Sequence, residues 1–505
     1  MTLARPLTQP LTLSRGVRAA ASRASAKPAM IFEGRTTSYA DMLGHVDAMA
    51  TSLVARGVGP GDRVAVISPN CPEYLELVVA ATEPGAMTVL INPRLTAAEV
   101  GLILDDCRPA LVVVHDSLMS LVAGRREPVS GFAGLACGPA TRQPDRADEF
   151  QPFAIHYTSG TTGKPKGVPV THRSRILSFF GMASEFGCYG ADDHFLALAP
   201  FCHGAGLTFA LASLYTGGTV TIMDRYDAGQ VAGAIASGAI TGIFVVPTHF
   251  HRMFELPQAL RASLGSHRLR ALICNAAPLK QPDKVRVIEM FGEGVLFECY
   301  GATESGIVTT MRPQYHLQKE DCVGTPFAAT EVELRDEAGN RVPDNEVGEL
   351  FSRSPYLFDG YWERPEASAE AIHGDWVTVG DMARRDSDGF YYIVDRKKDM
   401  VISGGINVYP REIEAVLLTL PGIIDCAVVG VPDPQWGERI HAEMVAAPGE
   451  TIDLAAVEQA CREQLAGYKQ PRSCRIVDSL PRNANGKVLK REIRDALVAE
   501  EAVTV

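Results

Sequence analysis

The stretch Tyr157-Thr-Ser-Gly-Thr-Thr-Gly-Lys-Pro-Lys-Gly-Val168 follows an apolar run, Phe153 to Thr158, that reads as a buried strand. Its composition fits one task. Gly160, Gly163 and Gly167 let the backbone approach an anion closely. The hydroxyls of Thr158, Ser159, Thr161 and Thr162 donate together with free N–H groups, and Lys164 and Lys166 supply charge. On a junction between a strand and a helix, this is a phosphate loop. It is not a Walker loop: two residues, not four, separate Gly160 from Gly163-Lys164, and Pro165 stands where Ser or Thr would hold magnesium.

Outward from this loop the chain alternates strand and helix. Val64 to Ser68, Thr88 to Asn92, Ala110 to Val114, Phe195 to Ala199, Thr219 to Met223, Ile243 to Val246, Ala271 to Asn275 and Val295 to Cys299 are continuous apolar runs. Helical segments such as Glu73 to Thr82 and Ala97 to Asp106 separate them. Unbroken apolar strands between helices predict mostly parallel sheets covered on both faces, an α/β fold. Residues 330 to 395 change character, with short strands at Glu331 to Arg335, Glu349 to Arg353 and Phe390 to Val394 between turn signals. After Asp395-Arg-Lys-Lys-Asp399 a last unit mixes helices (Pro410 to Leu420, Leu454 to Leu465, Val488 to Leu497) with strands (Asp425 to Val431, Ala442 to Ala446). The expected division is therefore 1–395, with a β-rich part at about 325–395, and 396–505. At roughly 150 residues per domain, a chain of 505 residues agrees with about three folding units.

Composition excludes several classes. Hydrophobic residues make up 46% and charged residues 21%, and no repeat period runs through the 46 glycines and 32 prolines, so the chain is neither disordered, collagen-like nor a coiled coil. The 48 basic against 60 acidic residues give a formal charge of −12, unsuited to neutralising nucleic-acid phosphates or an anionic membrane surface. Phosphate must be bound locally, by a loop. Eleven cysteines without any C-x-x-C spacing argue against a disulfide scaffold or zinc ribbon and fit a reducing compartment, the cytoplasm.

Two segments imitate targeting signals. The first 32 residues lack Asp and Glu but carry Arg5, Arg15, Arg18, Arg23 and Lys27, as a transit peptide would. Leu13, Val17, Ala20 and Ala21 fall on one helical face leading into a strand at Ala29 to Phe32, so an amphipathic helix opening the domain is expected instead. Phe195 to Met223 has no charged residue, but Pro200, His203 and four glycines interrupt it, which predicts strand, loop, buried helix and strand, not a membrane span.

The phosphate loop strongly resembles that of the acyl-adenylate-forming superfamily, which includes acyl-CoA synthetases and peptide-synthetase adenylation domains. Further motifs of that family follow in order: Tyr300-Gly-Ala-Thr-Glu304, Thr378-Val-Gly-Asp381, Asp395-Arg-Lys-Lys-Asp399, Ser403-Gly-Gly-Ile-Asn407 and Pro481-Arg-Asn-Ala-Asn-Gly-Lys487. The resemblance spans nearly the whole chain. It implies a large amino-terminal domain of two αβαβα-type sheets with a β-rich subdomain, and a small mobile α+β cap. It also implies ATP, Mg2+ and coenzyme A as reactants. By motif position, Glu304 is the magnesium ligand, Thr303 bonds the α-phosphate, and Tyr300, Gly301 and Ala276 contact the adenine nucleotide. Asp381 accepts the ribose hydroxyls, Arg396 is a second ribose or phosphate contact, and Lys487 bridges carboxylate and phosphate during adenylation. Lys398 is the hinge about which the cap turns for thioester formation. Ser403, Gly404 and Gly405 line the path of the thiol arm. Arg94, Trp436 and Tyr468 are similar to CoA contacts of aryl-CoA ligases. Gln470 departs from their arginine, which Arg472 could replace.

The same resemblance places the acyl pocket around His203, Gly204, Ala205, His249, Cys299 and Gly306, with His203 as a gate toward the thiol path. No aspartate lies near Phe201-Cys-His-Gly204 to pair an amino acid's ammonium. Malonate-activating members carry arginine where this chain has Cys299, so an acid with an uncharged, aromatic or medium-chain tail is expected. His249-x-His251 reads as a helix start and not a metal pair. Two alternatives to a CoA ligase remain: an activating enzyme that loads a carrier protein, and a catalytically silent binding protein. The protein is expected to be a monomer or homodimer, with no nucleic-acid partner. The setting of Lys487 resembles that of lysines modified by protein acetyltransferases.

Overall fold

A computed structural model describes residues 10–136, 139–158, 165–403, 406–483 and 486–504, with the backbone alone over 501–504. Ser159 to Lys164, Gly404 and Gly405 lie outside the described residues. The chain separates by internal contact into two units, 1–332 with 352–379, and 333–351 with 380–505.

The first unit carries two large sheets. One is ordered Val129–Ser130, Leu111–Val114, Arg63–Ile67, Met87–Ile91, Pro152–Thr158, Lys166–Thr171. All its pairings are parallel except the last. Met87–Ile91 and Leu111–Val114 are buried at every position, as expected of strands covered on both faces. The other sheet runs Thr325–Pro326, Gly306–Met311, Leu296–Ala302, Ala271–Cys274, Gly242–Val245, His194–Ala197, Thr219–Ile222, Pro28–Phe32, Arg35–Ser38. From Leu296–Ala302 to Pro28–Phe32 its neighbours are parallel. The carboxyl ends of those strands therefore share one edge of the sheet. Ligands of open α/β sheets bind at such an edge.

The phosphate loop does not lead directly into a helix. A strand, Lys166–Thr171, turns back antiparallel to Pro152–Thr158, and helix His172–Phe186 follows, capped by Thr171 Oγ1, which accepts from Ser174 N at 3.1 Å. Pro169 and Gly167 argue against a strand in a sheet interior, but this one is an edge strand, where Pro is tolerated. The uncharged segment behaves as expected, with strand His194–Ala197, buried helix Gly204–Thr216 and strand Thr219–Ile222.

The opening helix, Leu13–Arg23, buries Leu13, Val17, Ala20 and Ala21 in the main core. Its arginines are committed. Arg18 Nε donates to Glu83 Oε1 at 2.8 Å, and Arg15 Nε to Asp145 Oδ2 at 2.6 Å. Glu83 is buried, and burial raises its pKa against the pull of Arg18.

The second unit builds its own sheet, ordered Ile406–Val408, Val401–Ser403, Gly437–Ala446, Ile423–Asp433, with Ser473–Val477 parallel to Gly437–Ala446. Helices Pro410–Leu417 and Leu454–Gln464 pack on a core of Val401, Ile413, Val428, Ile440 and Met444. A further sheet, ordered Glu331–Arg335, Val347–Arg353, Trp376–Arg385, Ile372–His373, with Tyr391–Arg396 beside Trp376–Arg385, contributes residues to both units. No described helix is long and apolar enough to cross a membrane.

Removing one partner of a buried ion pair leaves the other charge uncompensated. Arg18→Ala should therefore lower the unfolding free energy of the first unit by roughly 3–5 kcal/mol. Urea denaturation followed by tryptophan fluorescence checks this, and an unchanged midpoint would show that the helix is not anchored through Glu83.

Candidate active site

The first unit gathers its candidate residues at the carboxyl edge of the parallel strands. His203 follows His194–Ala197 and is the N-cap of helix Gly204–Thr216. His249 lies in the first turn of Pro247–Phe254, after Gly242–Val245. Ala276 follows Ala271–Cys274 with φ +76°, a left-handed conformation that alanine rarely adopts. Thr303 and Glu304 form the turn between Leu296–Ala302 and Gly306–Met311.

That turn is tightly built. A Cβ on Gly301 would stand 2.0 Å from the Gly306 carbonyl oxygen, and Gly306 itself has φ +66°. Ala302 N donates to Ser305 Oγ at 3.1 Å, and Phe358 N to the Glu304 carbonyl at 2.9 Å. The Glu304 carboxylate is buried, and its Oε1 accepts from the Tyr361 hydroxyl at 2.9 Å. Tyr361 belongs to a segment that runs along the edge strand: Trp362 N donates to Gly167 O at 2.9 Å, and Lys166 Nζ stands 4.9 Å from the Tyr361 ring centroid. Sequence reasoning missed Tyr361, because the contact joins residues 57 positions apart.

Thr303 and Gly204 adjoin one another. A Cβ on Gly204 would lie 3.7 Å from Thr303 Oγ1 and 3.9 Å from His156 Nδ1. Burial and the nearby Arg94 charge lower the pKa of His203, so its imidazole is neutral at pH 7. Arg94 itself is exposed. Cys299 is buried opposite Thr310 in the antiparallel pair, and burial raises its thiol pKa. Ala205 and Tyr300 are partly buried beside these residues in sequence. Thr158 pairs with Lys166 across the mouth of the phosphate loop, its Oγ1 donating to Lys166 O at 3.4 Å.

Two histidines have partners of their own. His249 stacks on Tyr226 at 4.2 Å, its Nδ1 accepts from Val246 N at 3.3 Å, and burial holds its pKa at about 4. His251 pairs with Asp283 at 2.9 Å.

The second unit brings together a different set. Asp381 and Arg396 are cross-strand partners, Nε to Oδ1 2.9 Å, with Asp381 buried. Lys487 occupies a tight hairpin in which Lys487 N donates to Asn483 Oδ1 at 2.9 Å and Gly486 has φ +78°. The lysine keeps solvent access, yet surrounding protein, with Arg396 and Lys398, lowers its pKa to about 8 against Asp399 and Asp381. Lys398 lies in the short turn Lys397–Asp399. Buried Ser403 pairs with Gly437, next to Trp436, and Arg472 stacks 4.7 Å over the Trp436 ring. Tyr468 is exposed on the turn Gly467–Lys469.

Residues 17–362 match the AMP-binding enzyme family, and residues 412–487 match its C-terminal domain. The chain belongs to that family. It is 37% identical over 477 residues to a feruloyl-CoA synthase of Amycolatopsis, covering 91% of this chain and 94% of that one. It is 35% identical over 470 residues to a 2-succinylbenzoate–CoA ligase of Geobacillus kaustophilus, covering 91% and 93%. Among solved structures it resembles the o-succinylbenzoate CoA synthetase of Bacillus subtilis in complex with ATP and magnesium ion, with TM-score 0.86, 27% identity and coverage of 96% and 100%. The large α/β amino-terminal part and small carboxy-terminal domain are those of the family.

The family's magnesium fits the residues present. Among the described residues no group of three or more His, Cys, Asp or Glu could hold an ion. Magnesium is commonly held by one or two carboxylates together with substrate phosphates. A single oriented carboxylate, Glu304 steadied by Tyr361, meets that requirement.

Two outcomes test the geometry. Tyr361→Phe removes the bond that orients Glu304, so half-saturation by magnesium in the enzymatic reaction should rise about 10-fold or more; an unchanged magnesium dependence would show that Tyr361 only packs. A lysine titrating near pH 8 becomes a nucleophile above that pH. Acetic anhydride labelling of Lys487, read by mass spectrometry, should thus be half-maximal near pH 8, against about 10.4 for an ordinary lysine. A midpoint at the ordinary value would contradict the assigned environment.

Proposed function

We propose that the chain is an ATP-dependent carboxylic acid–CoA ligase with two half-reactions, acting on an aromatic acid. The observation that carries the reading is the Thr303-Glu304 turn, which presents a hydroxyl and an oriented carboxylate beside Gly204, in a chain similar to CoA ligases over nine-tenths of its length.

A carboxylate does not react with a thiol at neutral pH, because its leaving group is too poor. In the first half-reaction a carboxylate oxygen attacks the α-phosphorus of ATP, the bond to the bridging oxygen breaks, and pyrophosphate leaves. Two anions meet, so the site must screen charge. Thr303 would donate to the α-phosphate and Lys487 would neutralise the encounter. The residues from Thr158 to Lys164 would hold the outer phosphates, Tyr300, Gly301 and Ala276 the nucleotide, and Asp381 with Arg396 the ribose. Magnesium held through Glu304 supplies further positive charge to the phosphates. In the second half-reaction the CoA sulfur attacks the acyl carbon, the C–O bond breaks, and AMP leaves. Arg94, Ser403, Gly404, Gly405, Trp436 and Tyr468, with Arg472 in the role Gln470 does not fill, are the proposed CoA contacts. Lys398 is the proposed hinge, 396–505 the part that turns, and 1–395 the part it turns on. His203, Ala205, Cys299 and Gly306 are proposed to shape the acyl pocket. His249 contributes there through its backbone and ring stack. A reducing compartment suits the ten free thiols described, and we place the protein in the cytoplasm as a monomer or homodimer. A protein acetyltransferase acting on Lys487 would remove its charge and switch adenylation off.

The half-reactions separate by mutation. Lys487→Ala should lower acid-dependent pyrophosphate exchange by about 100-fold or more while sparing thioester formation from supplied acyl-AMP; equal loss of both would contradict the role. Lys398→Pro should do the reverse, and a normal overall rate would remove the hinge assignment. A panel of benzoates, cinnamates and medium-chain acids, read by pyrophosphate release with and without CoA, tests the function itself. Turnover that needs a carrier protein and ignores CoA would overturn it.

A further inference from the structure

The first unit pairs its buried cations. Lys284 meets Glu298 at 2.8 Å, and Arg18 meets Glu83. Arg175, in the first turn of helix His172–Phe186, differs from these two. Its Nε is shielded from solvent with no hydrogen-bond partner, and its guanidinium forms no ion pair among the described residues. Surrounding protein alone accounts for a pKa lowered to about 10, so it remains charged at pH 7. The residue is nevertheless partly accessible.

His156 repeats the pattern. It sits mid-strand, 3% exposed, and its Nδ1 has no partner. Burial, then the charges of Arg175 and His203, holds its pKa at about 3. The neutral ring therefore offers one donor and one acceptor. Nδ1 and Cε1 both lie 3.9 Å from the position of a Cβ on Gly204, the point that Thr303 Oγ1 approaches to 3.7 Å. The charge of Arg175 acts on His156 and that of Arg94 on His203, with no carboxylate among the groups that shift either His156 or Arg175. Buried charges are normally paired, and a cation held without a counter-ion beside a reaction centre marks a place for an anionic or strongly accepting oxygen.

We propose that Arg175 and His156 form a specificity-determining subsite of the acyl pocket, which takes a second oxygen group of the acid, a carboxylate or a phenol oxygen, distinct from the carboxyl that is activated. Cys299 offers no counter-ion to such a group; Arg175 offers one from a different element. The inference rests on the ligase reading and on the acyl pocket adjoining Gly204.

The test uses aryl acids in matched sets, each differing only in bearing hydrogen, hydroxyl or carboxylate at one ring position. They are assayed by pyrophosphate release with the full-length wild type, Arg175→Leu and Arg175→Lys. The wild type should favour one oxygen-bearing acid over its parent by at least about tenfold in kcat/KM. Arg175→Leu should abolish that preference, through the KM of the oxygen-bearing acid, and Arg175→Lys should restore part of it. A loss equal for parent and substituted acids, or a rise confined to the KM for ATP, overturns the proposal; the latter would assign the cation to a nucleotide phosphate. If Arg175→Leu does not fold, the wild-type preference decides alone, and its absence overturns the proposal. Should no acid release pyrophosphate with the wild type, the ligase reading falls first, and this inference with it.

Discussion

Glu304 is a carboxylate carried on a turn between two antiparallel strands, and much of the first unit is arranged so that this turn can exist. A Cβ on Gly301 would collide with the Gly306 carbonyl, and one on Gly306, at φ +66°, would stand 2.9 Å from the Tyr356 side chain. The backbone of Phe358 and the hydroxyl of Tyr361 fix the turn from outside. Tyr361 in turn is held because its neighbour Trp362 hydrogen-bonds the edge strand that leaves the phosphate loop. One short chain of contacts thus ties the expected metal ligand to the expected phosphate loop. A loop alone could not hold an acidic side chain in place against the negative charge of a nucleotide.

The electrostatics answer a single demand, that two anions be brought within bonding distance. The chain is acidic overall, at −12, so the positive charge must be local. The first unit holds Arg175, whose Nε has no hydrogen-bond partner among the described residues, and His156 and His203, which burial keeps neutral. The second holds Lys487, whose pKa is lowered by burial and then by the nearby Arg396 and Lys398. A lysine poised near pH 8 holds its proton less firmly than usual, and a bound anion would restore it.

Most of the fold was legible because parallel strands buried on both faces write themselves as unbroken apolar runs, as Met87–Ile91 and Leu111–Val114 do. The edge strand Lys166–Thr171 was not, since Gly167 and Pro169 resemble loop residues until one knows that the strand has a single neighbour. Strand Trp376–Arg385 was hidden by Gly380, which takes φ +75° within it. The division into units interleaves segments 333–351 and 352–379, which no reading along the chain could deliver. Among candidate residues, the ordered motifs fall on the Thr303-Glu304 turn, the Asp381–Arg396 pair and Lys487. Tyr361 escaped because its meaning lies in a contact across the fold. A histidine inside the apolar run Phe153-Ala-Ile-His156 was a signal, and it went unread.

The central claim is that an oxygen of the acid becomes bonded to the α-phosphorus. It is tested most directly by turning over an accepted acid labelled with 18O in its carboxyl group, with ATP and CoA, and weighing the products by mass spectrometry. The account predicts one labelled oxygen in AMP and none in pyrophosphate. Label in phosphate or pyrophosphate, or unlabelled AMP, would contradict it.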